Sequence, residues 1–108
     1  MKNVVWISYD LGIGGDYEGI YAWLDRHHAR ECGDSMAYLP DYQCTGDVAK
    51  TLKSDLQLTV EINKKSKIYI VYQDFQKKKP IGSFIFGRRK AAPWAGCSGE
   101  GDELDSDE

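Results

Sequence analysis

Asp10 is the residue best placed to do chemistry. It closes the apolar run Val4-Val5-Trp6-Ile7-Ser8-Tyr9 and precedes the loop Gly12-Ile13-Gly14-Gly15. A carboxylate at the end of a buried strand is a ligand for a hard cation when a second carboxylate approaches. Asp16 and Asp34 are the companions within the chain, and in a symmetric dimer Asp10 can meet its own copy. With Mg2+ or Mn2+ held there, the expected chemistry is activation of water for phosphodiester cleavage. The plainer alternative is a loop carboxylate that accepts free backbone amides.

The other candidates are weaker. The glycine loop lies between a strand and a helix, where a phosphate loop would lie. No Gly-Lys-Ser/Thr follows it, and Tyr17 breaks a Gly-x-Gly-x-x-Gly pattern. A tight turn is the better reading. His27 and His28 stand at a helix end near Cys32, but the spacing is not that of a zinc site. Stabilisation of an imidazolium by the helix dipole is the simpler account. Ser8, Ser35 and the three cysteines have no identifiable base partner.

Charge is segregated. Residues 63–95 carry nine Lys or Arg against Asp74 alone, whereas residues 96–108 carry six acids and no base. Lys77, Lys78 and Lys79 form one basic turn, and Arg88, Arg89 and Lys90 another. They alternate with Tyr69, Tyr72, Phe75, Phe84, Phe86 and Trp94. Basic side chains neutralise phosphates and aromatic rings stack on bases, so this block is a candidate RNA or DNA surface. A solvated hairpin with core aromatics is the alternative. The acidic tail either aids solubility or competes with nucleic acid for the basic block.

The elements that must position these groups follow from periodicity. The chain has 108 residues and 42% hydrophobic content, enough for one globular domain. Val4 to Tyr9 reads as a strand. Asp16 is an N-cap for a helix to about His28, with Tyr17, Ile20, Tyr21 and Leu24 on its apolar face. Arg30 to Leu39 reads as one bent or bulged strand ended by Pro40. A helix starts at Thr45-Gly46-Asp47, presents Val48, Leu52 and Leu56, and ends at Asn63 with two lysines suited to its dipole. Lys67 to Phe75 and Ile81 to Phe86 are strands. Pro93-Trp94 is a short anchored segment. The order β-α-β-α-β-β suits an α+β, ferredoxin-like sandwich over residues 1–95. Four to five mainly antiparallel strands would carry two helices on one face. Residues 96–108 read as a disordered acidic tail. The start lacks a signal-peptide pattern, and no apolar run approaches membrane length, so a cytoplasmic protein with free thiols is expected.

The succession of Ser8-Tyr9-Asp10-Leu11, a helix, the segment Arg30–Met36, a second helix and Lys67-Ile68-Tyr69-Ile70 resembles the small CRISPR-associated spacer-acquisition proteins (the second Cas protein) and the related VapD toxins. The likeness spans roughly residues 3–75. It implies a ferredoxin-like homodimer and metal-dependent nucleic-acid cleavage, with Asp10 alone inheriting a role, as metal ligand. The chain departs from that pattern in several places. Gly12–Gly15 replaces the usual basic residues after the aspartate, Ala37 stands where an aromatic is usual, and the acidic tail is foreign. A nucleic-acid-associated protein, with endonuclease activity dependent on Mg2+ or Mn2+ at Asp10, is the first expectation. A non-enzymatic dimeric adaptor or inhibitor module is the second, and a small-ligand domain using the glycine loop is the third.

Overall fold

In a computed structural model, residues 2–74 and 77–98 are described. The elements run β1 (Lys2–Asp10), α1 (Tyr17–Arg26), β2 (Arg30–Gly33), β3 (Met36–Gln43), α2 (Val48–Thr59), β4 (Lys67–Asp74) and β5 (Lys79–Phe86). The five strands form one sheet in the order β2-β3-β1-β4-β5. Every neighbouring pair is antiparallel.

Period-two burial shows how the layers are built. On β1, Val5, Ile7 and Tyr9 are buried while Trp6, Ser8 and Asp10 are exposed. Successive strand side chains point to opposite faces, so the two sets lie on opposite sides of the sheet. Ala37 and Leu39 of β3 and Ile68 and Ile70 of β4 join the buried set. So do Ile20, Trp23 and Leu24 of α1 and Val48, Leu52 and Leu56 of α2. Both helices therefore pack on the same side of the sheet, and among the described residues no helix covers the other side.

Asp16 locks the helical layer. Its Oδ1 accepts the Gly19 amide at 2.9 Å, and its Oδ2 accepts the Glu61 amide beyond α2 at 2.9 Å. These two amides, Glu61 first, hold its carboxyl below the usual range. Asp47 caps α2 by accepting from the Lys50 amide at 3.1 Å.

Several sequence expectations are corrected. Arg30 to Leu39 is a hairpin with its turn at Asp34-Ser35, not one bulged strand. Pro40 lies within β3, past the last residue that β2 pairs (Tyr38) and where the β1–β3 register shifts. A missing N–H is tolerated at such a place. Helix α2 ends at Thr59, because Val60 turns extended and buries its side chain in the core. Lys64 and Lys65 therefore belong to the following loop and have no helix end to complement. On α1, Trp23 is fully buried while Tyr21 is 52% exposed. Trp94 is 72% exposed in a turn, so that segment is not anchored through its indole. The three cysteines are free. Phe75, Gln76 and most of the expected disordered tail (99–108) lie outside the described residues. Among the described residues no helix is long and apolar enough to cross a membrane.

Asp16→Ala should lower the melting temperature, because two backbone amides lose their acceptor. Asp16→Asn should recover part of the loss, since an amide oxygen accepts one of them. Thermal unfolding followed by circular dichroism measures this, and equal melting of the three proteins would contradict it.

Candidate functional site

The open face ends in a charged depression. Asp10 on β1 sits opposite Lys67 on β4, and Ser8 opposite Tyr69. With Phe84 and Arg89 these residues line a depression of about 380 Å³. A second depression, of about 620 Å³, shares Asp10, Lys67 and Arg89 and adds Lys64, Lys65, Arg88 and Lys90. One carboxylate thus stands among six cationic side chains drawn from two segments.

The backbone brings these segments together. Asn63 to Ser66 close on themselves. The Asn63 amide donates to Ser66 Oγ at 3.1 Å, the Lys65 amide donates to Asn63 Oδ1 at 2.8 Å, and the Ser66 amide donates to the Asn63 carbonyl at 3.1 Å. Ser66 is buried at 2% exposure, so the loop is tied to the core below the lysines. Opposite it the chain leaves β5 through Gly87, whose φ of 78° favours glycine. A Cβ there would come within 2.8 Å of the Ser66 carbonyl oxygen and 2.7 Å of Lys67 Cγ. Gly87 therefore allows Arg88–Lys90 to approach Lys64–Lys67.

Like charge accumulates as a result. The Lys67 ammonium is pulled below its ordinary pKa, first by burial and then by Lys90, with Asp10 opposing. Cations held together in this way favour an anion between them.

The sequence candidates divide accordingly. Arg88, Arg89 and Lys90 meet Asp10. Lys77, Lys78 and Lys79 do not, since they lie at the far end of β5, about 23 Å away at a strand rise of about 3.3 Å per residue. Lys78 adopts a φ of 57° in that turn, and the Lys77 amide donates to Asp74 Oδ1 at 3.1 Å. The sequence reading did not connect Lys64, Lys65 and Lys67 with this site.

Among the described residues, Asp10 is the one carboxylate that lines either depression. Asp10 Oδ1 accepts the Gly12 amide at 3.1 Å, which is the plainer role. Both oxygens of Asp16 are occupied by the amides described above. Asp34 lies in the β2–β3 turn, away from either depression; the Tyr9 hydroxyl is pushed up first by burial, then by Tyr21 and Tyr17, and less by Asp34. Among the described residues no three His, Cys, Asp or Glu side chains gather as a metal-ligand group. The glycine loop is a tight turn, the Gly15 amide donating to the Gly12 carbonyl at 3.1 Å.

His27 belongs to a separate cluster between the helices and β3. Its ring packs on Trp23 with centroids 4.2 Å apart, and Nε2 lies 3.6 Å from Asp55 Oδ2, which also accepts the Tyr42 hydroxyl at 3.0 Å. Burial, the largest effect, lowers the imidazole pKa. Asp55 opposes it, and Arg26 and His28 reinforce it. For His27 this direction runs against the expectation of an imidazolium stabilised by the helix dipole.

No family model, no curated protein and no solved structure matches the chain.

The His27 cluster sets a pH dependence. The folded imidazole pKa is depressed, so its contribution to stability is complete above about pH 6.5 and is lost as pH falls through the folded value. Chemical denaturation across that range should show a declining acid limb. His27→Phe, which keeps a ring on Trp23, should flatten that limb, and an unchanged limb would show that other groups set it.

Proposed function

We propose that this chain binds nucleic acid through the cationic end of its open sheet face, on a ferredoxin-like framework. Support for the framework comes from the succession β1-α1-β2-β3-α2-β4, which is the βαββαβ arrangement, with β5 as an added edge strand. The observation that carries the function is the gathering of Lys64, Lys65, Lys67, Arg88, Arg89 and Lys90 around one depression. A polyanion is the partner that best relieves their mutual repulsion, and each phosphate neutralised releases counterions.

In this reading Asp10 closes the turn at Gly12 and stands across the sheet from Lys67. It does not activate water. Two copies of Asp10 brought together by a dimer are a route by which Mg2+ or Mn2+ cleavage would arise; among the described residues one copy supplies a single carboxylate beside these cations.

Anisotropy with short labelled RNA and DNA at several salt concentrations tests the proposal. Replacing Lys64, Lys65 and Lys67 by Ala should weaken binding to all sequences. It should also lower the salt slope by about 2, three phosphate contacts counting about 0.7 each on a single strand. The same change at Lys77, Lys78 and Lys79 should have the smaller effect. Asp10→Asn should leave binding intact or strengthen it. Absence of salt-sensitive binding in the parent protein would refute the proposal. A Mg2+-dependent cleavage lost in Asp10→Asn would restore the metal reading.

A further inference from the structure

The cationic depression opens onto an aromatic surface. Trp6 and Tyr38 face each other across β1 and β3 with ring centroids 5.2 Å apart, and Trp6 is 38% exposed. Tyr69 and Phe84 meet edge to face across β4 and β5 at 4.8 Å and 70°. Tyr69 lies across Gly82, where any added Cβ would collide with its hydroxyl. Glycine at that position thus lets the ring lie down on the sheet. Both Tyr69 and Phe84 stay partly exposed, and both line the smaller depression with Lys67 and Arg89.

We infer that this face binds single-stranded nucleic acid, unpaired bases stacking on Tyr69 and Phe84 while Lys67, Arg89 and Lys90 hold the flanking phosphates. The inference rests on the nucleic-acid reading above and specifies its substrate class. A ring can stack only on a base whose face is free, which a duplex does not offer. Sheet aromatics beside a cationic groove provide the stacking platform and electrostatic track that such strands need. Charge decides against a second copy as the occupant. Laying another chain on this face would bury Asp10, Lys67 and Arg89 together with the aromatics, and burying charges imperfectly paired is costly.

The test uses full-length protein and strands of about 12 nucleotides, one set single, one paired into a duplex of the same sequence, and one carrying 2-aminopurine. Single strands should bind about tenfold tighter than the duplex, with quenching of the 2-aminopurine. Tyr69→Leu and Phe84→Leu, checked for folding by circular dichroism, should each cost about tenfold on the single strand, a typical loss for one stacked base. Both should leave duplex binding and the salt slope unchanged. Equal affinity for both strand forms with an intact salt slope would overturn the stacking claim and leave the cationic surface standing. Loss of all salt-sensitive binding would overturn both. A dimer in sedimentation that Trp6→Glu dissociates, with binding to single strands unaffected, would assign the face to a second copy.

Discussion

The period-two alternation of β1 is the constraint on which the rest depends. It is the central strand, paired with β3 on one side and β4 on the other. Val5, Ile7 and Tyr9 must face the helices to build the core, so Trp6, Ser8 and Asp10 are carried onto the opposite face. A slip of one residue would turn Asp10 toward the core and expose Val5, Ile7 and Tyr9. β4 obeys the same rule, with Ile68 and Ile70 inward and Lys67 and Tyr69 outward. The pairings Asp10–Lys67 and Ser8–Tyr69 then follow from register alone.

On this frame the electrostatics are local. The chain carries a formal net charge of −3, so whole-molecule charge would repel phosphates. Attraction arises because a buried serine and a glycine bring two basic segments to one end of the sheet. The effect is strongest within a Debye length, about 8–10 Å at ordinary salt. That is shorter than the length of β5, so the basic turn at Lys77–Lys79 acts as a separate patch.

Much of the fold was legible. The cap at Asp16, the start of α2 at Thr45-Gly46-Asp47, the β4 run and the recurrence of Val48, Leu52 and Leu56 each follow from local chemistry. The hairpin in 30–43 was not, because Pro40 looked like a stop. Only the limited reach of β2 shows that a proline is harmless there. The end of α2 was misplaced because Val60 continues the apolar pattern of Val48, Leu52 and Leu56 while its backbone turns extended. That error hid Lys64 and Lys65 from the site. Asp10 and Arg88–Lys90 were visible as residues, but their meeting depends on Gly87 approaching Ser66, a long-range contact with no local signal. The separation of Lys77–Lys79 from Arg88–Lys90 was in principle readable from the length of the intervening strand.

The most direct measurement of the central claim is an amide-resolved nuclear magnetic resonance titration of the full-length protein with a short single-stranded oligonucleotide at moderate salt. The account predicts shifts concentrated at Ser8, Asp10, Lys64 to Tyr69 and Phe84 to Lys90, with the helices and the Lys77–Lys79 turn little changed. Shifts confined to that turn or to the helices, or none at all, would contradict it.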